Sequence, residues 1–203
     1  MLKRTFDLIF SLAGLLILFP FLFIFSLIII IDSKGGIFFL QKRVGKNGKD
    51  FFLFKFRTMH KHAEKKGLLT IGEKDDRITN FGFFLRKYKI DELPQLLNIF
   101  IGNMSFVGPR PEVRKYVEMY SEEQKLVLTV KPGITDVASI EYINENEILA
   151  KYENPEEGYI SEVMPAKLKL NLQYISKRNF AKDIGIIFKT IGKIFLTDTE
   201  PLT

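Results

Sequence analysis

The sequence contains no cysteine and no tryptophan, and its only histidines are His60 and His62. Without cysteine the chain forms no disulfide and offers no thiolate to a metal. Both histidines stand in a lysine-rich stretch that reads as solvated, so a histidine base is not expected. No internal repeat and no long flexible linker interrupts the chain, and the apolar N-terminal stretch has no small-residue cleavage site of the signal-peptide kind. What is present is 203 residues, enough for one ordinary domain, with 20 Phe and a net charge of +6. That positive balance admits nucleic acid, an anionic membrane surface or phosphorylated substrates as partners.

From Leu8 to Ile31 no residue is charged. The run is long enough to cross a hydrocarbon core of roughly 30 Å. Lys3 and Arg4 precede it; Lys34, Lys42, Arg43, Lys46 and Lys49 follow it. Two basic flanks leave two topologies open: a simple spanning helix, or a helix that dips into the membrane and returns. Pro20, near the middle, frees a carbonyl and can bend the helix there.

Ile37–Leu40 and Phe51–Thr58 read as two strands joined by G-K-N-G-K-D, with Asn47-Gly48 as the turn. Alternation in the second strand places Phe52, Phe54 and Phe56 on one face, expected to pack inward, and Leu53, Lys55 and Arg57 on the other. Residues 60–77 are charged and glycine-punctuated, a mobile loop by composition. Thr79 or Asn80 is expected to cap a helix over 81–88, with Arg86 in its last turn.

The densest chemistry lies in residues 86–111, RKYKIDELPQLLNIFIGNMSFVGPRP. Asp91 and Glu92 precede Pro94, and an apolar run from Leu96 to Ile101 follows. We expect 91–93 to form the lip of a helix and 94–101 its body, with Leu93 pushed out of helical angles by Pro94. The acid pair reads in two ways. It can be a plain capping feature, stabilised by the partial positive charge of a helix start. From spacing alone that reading comes first; set among Arg86, Lys87, Lys89 and Arg110, the pair can instead serve chemistry on phosphate, holding a divalent metal or attacking while the cations hold the anion.

D-D-R-I-T-N-F-G-F-F-L-R (75–86), I-D-E-L-P-Q-L-L-N (90–98) and G-N-M-S-F-V-G-P-R-P (102–111), with K-F-R-T-M (55–59), resemble the bacterial sugar transferases that load a polyprenol carrier, the monotopic polyprenol-phosphate phosphoglycosyl transferases. The resemblance runs from residue 1 to about 135. It implies a proline-kinked re-entrant membrane helix. It also implies Asp91 as nucleophile and Mg²⁺ ligand, and Glu92 as its catalytic partner. Lys55, Arg57, Arg86 and Arg110 would contact phosphates. The implied substrates are a UDP-sugar and undecaprenyl phosphate, at the cytoplasmic face of a bacterial inner membrane. The chain departs from the family pattern in Phe19-Pro20 at the bend, in Lys89, and in Asp136, where glycine is usual after P-G-I-T.

Further on, 112–128 carries a helical pattern, and 141–162, with seven acids and one lysine, reads as a solvated loop. Residues 166–175 and 180–196 read as helices. In the second, Ile184, Ile187, Phe188, Ile191 and Phe195 form a face that suits a membrane interface or a core. The expected fold is α+β and mostly helical: a membrane helix (1–35), then a cytoplasmic, membrane-associated catalytic domain (36–203) with a β-hairpin and interfacial amphipathic helices. Three functions compete: transfer of a phosphosugar, releasing UMP; transfer of the sugar alone, releasing UDP; and a membrane-attached scaffold. A nucleic-acid partner is disfavoured, because the basic residues adjoin an apolar stretch and no binding module is present.

Overall fold

A computed structural model describes residues 2–61, 63 and 75–196. His62, most of the expected 60–77 loop and the side chain of Phe195 lie outside the described residues.

Helix α1 spans Leu2–Asp32 without a break, Pro20 included. It is long and apolar enough to cross a membrane. One of its faces is not free for lipid. Ser11, Leu15, Leu18, Leu22, Phe25 and Ile29 recur at alternating four- and three-residue steps, a single stripe that packs on the rest of the chain. The opposite face leaves Leu16, Ile17, Phe19 and Phe23 exposed. Both ends of α1 are tied to the same folded unit. At its start, the Arg4 guanidinium donates to the Ile99 and Phe100 carbonyls at 2.6 and 2.8 Å, and Lys3 pairs with Asp183 at 2.5 Å. At its end, Arg57 Nη2 donates to the carbonyls of Ile29 and Ser33 at 3.0 and 2.6 Å.

Strands β1 (Phe38–Val44) and β2 (Asp50–Phe56) form an antiparallel hairpin; β1 runs on past the expected Leu40, and β2 stops short of the expected Thr58. Asn47 and Gly48 take positive φ (57° and 72°) in the turn, a conformation open to Gly and tolerated by Asn. The expected inward aromatic face is only partly inward. Phe56 is buried against Ile29 and Leu85, whereas Phe52 is exposed and Leu53, from the other face, packs with Leu96, Ile99 and Met104. On the face shared by Val44, Phe52 and Phe56 the hairpin is buried at its two ends and exposed between them, which simple alternation does not encode.

Helix α2 (Asn80–Lys87) starts from Thr79, whose hydroxyl accepts the Gly82 N–H. Helix α3 (Gln95–Ile101) follows a short 3₁₀ turn over Ile90–Glu92. Leu93 corrects the expectation: it is helical (φ −56°, ψ −34°) despite preceding Pro94, and so joins the turn to α3. Within the apolar run, Asn98 is fully buried because it substitutes for a strand neighbour of β2. It accepts the Phe54 N–H at 2.9 Å and donates to the Phe52 carbonyl at 2.7 Å.

Two short parallel strands, β3 (Ser105–Val107) and β4 (Gly133–Thr135), pair Ser105 with Gly133 and Val107 with Thr135. Beyond them the chains approach so closely that a Cβ on Gly133 would lie 2.2 Å from the Gly108 nitrogen, which requires glycine there.

The continuous helix expected over 112–128 is a four-residue helix α4 (Arg114–Val117) and a 3₁₀ turn over Gln124–Thr129. The acidic segment is not a solvated loop. It forms α5 (Val137–Glu141), α6 (Glu145–Leu149), α7 (Pro155–Gly158) and a π-turn (Tyr159–Val163) leading into α8 (Met164–Ser176). Leu149, Tyr159 and Val163 from this segment join Val44, Tyr116 and Val127 in the largest core cluster. Sparse apolar residues at irregular spacing buried the segment without showing a helical period. Helix α9 (Phe180–Leu196) buries Asp183 and Ile186 and exposes Phe188 and Ile191, so the expected apolar face divides between core and surface. The whole is a mostly helical α+β fold with a long apolar N-terminal helix.

Candidate active site

The chain reverses after α2 at Lys89, which adopts φ 55°, ψ 21°. A non-glycine residue in this left-handed region costs about 1 kcal/mol or more. The reversal is what makes the 3₁₀ turn possible: the Glu92 N–H bonds back to the Lys89 carbonyl and the Leu93 N–H to that of Ile90. Asp91 and Glu92 thus project from a stiff turn braced by α3, and Asn98 fixes α3 to β2, which carries Lys55.

The two acids are treated differently. Glu92 is fully partnered. Lys55 Nζ lies 2.9 Å from its Oε1, and Arg110 forks onto both oxygens at 2.5 and 3.3 Å. Burial opposes ionisation of Glu92, but Arg110 and Lys55 outweigh it and hold its carboxyl well below the ordinary range. Asp91 is 7 % exposed, and among the described residues no hydrogen bond reaches its carboxylate. Burial pushes the Asp91 carboxyl up, and Glu92 pushes the same way; Lys55, Arg86 and Lys89 pull down without cancelling it.

Of the expected phosphate contacts, Lys55, Arg86 and Arg110 surround the dyad. Burial pushes the Lys55 ammonium down from its usual value, against the pull of Glu92, and does the same to Arg86, on which the charge of Asp91 acts in the other direction. Arg86 also donates to Thr58 Oγ1 at 2.9 Å. Arg57 is placed elsewhere. It is buried on the end of α1, bonded to the Ile29 and Ser33 carbonyls, and among the described residues its hydrogen-bond partners all belong to that helix end. Lys55 and Arg57 are two residues apart, but Arg57 lies past the end of β2, beside the end of α1.

A cavity of about 530 Å³ opens beside the dyad, lined by Lys89, Glu92, Arg110, Ser139, Tyr142 and Asn146 among others. Asp91 and Lys55 stand behind Glu92 and do not line it. The acidic segment therefore forms one wall of this cavity. Three positioning groups lie outside the sequence expectations. Arg43 donates to Glu112 at 2.8 Å, and Glu112 also accepts the Tyr159 hydroxyl, holding the P-R-P-E stretch to β1. Asn98 was detectable as a lone polar residue in an apolar run. Asp7, buried at the start of α1, accepts the Ser105 hydroxyl and Phe106 N–H at 3.1 and 3.2 Å, and marks the helix end that the charge-free run does not include.

No group of three or more His, Asp or Glu residues able to hold a metal exists among the described residues. The unpartnered carboxylate of Asp91 is the one available acidic donor of the dyad, since both Glu92 oxygens are occupied. One protein carboxylate suits Mg²⁺, which completes its shell with water and substrate phosphate.

The sequence profile described as bacterial sugar transferase matches residues 1–197. A UDP-N-acetylgalactosamine-undecaprenyl-phosphate N-acetylgalactosaminephosphotransferase of Aeromonas hydrophila is 32 % identical over 95 % of the chain and 43 % of its own length. A UDP-glucose:undecaprenyl-phosphate glucose-1-phosphate transferase of Escherichia coli is 34 % identical over 97 % of the chain and 40 % of its own length. The chain thus spans about two-fifths of these two relatives. The exopolysaccharide production protein PSS of Rhizobium leguminosarum is 35 % identical, covering 94 % of the chain and 93 % of that protein. With the profile matched across almost its whole length, the chain belongs to the bacterial sugar transferase family.

Proposed function

We propose that this protein transfers a phosphosugar from a UDP-sugar to undecaprenyl phosphate, releasing UMP, as a membrane step of polysaccharide assembly. The activities after which two of these relatives are named support the reaction class. The observation that carries the mechanism is the asymmetry of the acid pair: Glu92 is neutralised by Lys55 and Arg110, and among the described residues the Asp91 carboxylate has no donor. A nucleophile must keep a lone pair free, and a carboxylate without hydrogen bonds does.

In this reading an Asp91 oxygen attacks the sugar-bearing phosphorus. The bond from that phosphorus to the oxygen bridging the two phosphates breaks, UMP leaves, and a phosphosugar-aspartyl enzyme remains. An oxygen of the lipid phosphate then attacks the same phosphorus, the aspartyl bond breaks, and the carboxylate is restored. Two easier displacements replace one hard one. Lys55, Arg86 and Arg110 offset the negative charge that would otherwise repel Asp91. Glu92 keeps Lys55 and Arg110 in place and sits at the cavity edge. Asp91 would hold Mg²⁺, which when bound neutralises phosphate charge.

The same reading places the protein at the cytoplasmic face of the membrane, with α1 re-entrant. Support comes from Lys3 and Arg4 at one end of α1 and Arg57 at the other, all bonded to one folded unit. A spanning helix would carry its first residues to the opposite side, away from Asp183 and Ile99.

The test is the half-reaction. UDP-sugar and Mg²⁺, without lipid, should release UMP stoichiometric with enzyme and leave a phosphosugar mass on the peptide containing Asp91. UDP as product of the complete reaction would refute phosphosugar transfer. UMP formed only with lipid present, and no exchange of labelled UMP into UDP-sugar, would refute the covalent step.

A further inference from the structure

Asp136 is 1 % exposed, and its carboxylate meets three donors. The Ser139 N–H donates to Oδ1 at 2.5 Å, which is the N-cap of α5. Asn171 Nδ2 donates to Oδ2 at 3.1 Å, and the Arg110 N–H donates to the same oxygen at 2.7 Å. The Arg110 bond is no part of the cap, since Arg110 belongs to a segment that precedes β4.

Pro109 and Pro111 have no N–H, so Arg110 carries the one main-chain donor of this tripeptide. The prolines also stiffen it: Pro109 has a fixed φ, and Pro111 confines Arg110 to extended angles. Upstream, the Pro109 carbonyl accepts the Gly133 N–H at 3.1 Å. With the backbone held there, the bond at the Arg110 nitrogen decides where the side chain leaves the chain. It leaves toward Glu92. Asp136 itself does not line the cavity.

We infer that Asp136 is a positioning residue for the transfer proposed above: by holding the Arg110 main chain, it aims the guanidinium at Glu92 beside Asp91. The inference rests on that proposed reaction. It also gives a role to a carboxylate at a position where this chain departs from the glycine of the resembling family.

Serine separates the two jobs of Asp136, because it caps a helix as well as aspartate does but is too short to keep all three donors. Asp136→Ser should lower kcat about 10- to 100-fold, the scale of a displacement of ~1 Å in a catalytic group. The KM for UDP-sugar should stay within a few-fold. Asp136→Asn, also a good cap, keeps its oxygen for the Ser139 N–H, turns its NH₂ toward the Arg110 N–H and Asn171 Nδ2, and should give the same loss. In an Arg110→Ala background, Asp136→Ser should change kcat by less than about threefold, because both substitutions act through one guanidinium. Wild-type kcat in both Asp136 variants would overturn the inference. So would an undiminished loss in the Arg110→Ala background, a loss confined to KM, or failure of both variants to fold, which would leave Asp136 a structural cap. Absence of UMP release from the wild-type protein would instead refute the transfer reaction itself.

Discussion

Replacing Glu92 by Gln and Asp91 by Asn is expected to shift stability in opposite directions, although the two residues are adjacent. Glu92 pairs with Lys55 at 2.9 Å and with Arg110 at 2.5 Å, and the Glu92 and Lys55 side chains are 12 % and 16 % exposed. Leaving a buried charge without its partner costs about 3–5 kcal/mol. Arg110 is 39 % exposed, so water screens much of its share, and Lys55 carries most of the effect. Allowing for one hydrogen bond retained by Gln, Glu92→Gln should cost about 2–4 kcal/mol, a large part of a total of roughly 5–15 kcal/mol. Asp91 is buried and meets no donor among the described residues, which costs at most about 1–3 kcal/mol, part of which Asp91→Asn recovers. At ~2–4 °C per kcal/mol for a chain of this size, Glu92→Gln lowers the thermal midpoint by roughly 4–16 °C and Asp91→Asn raises it by a few degrees. The pH dependence follows from the two shifts. The folded carboxyl of Asp91 is raised, so its ionisation costs stability; the gain in Asp91→Asn is complete above that raised value and fades toward the unfolded value of about 3.9. The folded carboxyl of Glu92 is depressed, so its contribution is complete above the unfolded value of about 4.3 and is lost as pH falls below it. Both differences from wild type should be largest at neutral pH and narrow below about pH 4–5. Urea or thermal melts of detergent-purified protein measure this. Asp91→Asn destabilised by more than ~1 kcal/mol would show that the carboxylate is bonded after all, and a neutral Glu92→Gln would show that Lys55 does not depend on it.

Asp91→Asn should also reduce turnover on the order of a thousandfold or more, with the same protein fraction extracted from membranes. Arg57→Met should loosen the end of α1, seen as faster proteolysis after Ser33 and a lower thermal midpoint, while kcat falls less than in Arg86→Met; the reverse order would return Arg57 to the phosphates. Single cysteines at residues 2 and 47 should both resist an impermeant thiol reagent added outside intact cells, and labelling at residue 2 alone would establish a spanning helix.

Local pattern was enough for much of this. The charge-free run, the Asn47-Gly48 turn, the Thr79 cap and the helices near 166 and 180 are properties of neighbouring residues, and each appears in the structure close to where it was read. The acid pair with its ring of cations was legible for the same reason, because D-E-L-P-Q-L and G-P-R-P are contiguous strings. Element lengths and burial were less so. Leu93 took helical angles because the Ile90 carbonyl and the packing of α3 outweighed the proline that follows it.

The amino-acid sequence by itself determined the chemistry available: no thiol, no well-placed histidine, two adjacent carboxylates, and basic residues enough to hold phosphate. Tertiary structure decided how that chemistry is divided. It gave Glu92 two cations and left Asp91 without a donor among the described residues, since Lys55 and Arg110 come from β2 and from the stretch after β3 and meet only on folding. It turned Arg57 to the end of α1, although Lys55, two residues away, faces the dyad. It buried the acidic segment as a cavity wall and drew Asp136 onto the Arg110 main chain. Charge and spacing along a chain specify which groups exist, whereas the pairing and desolvation that set their reactivity depend on which distant segments the core brings within about 3 Å.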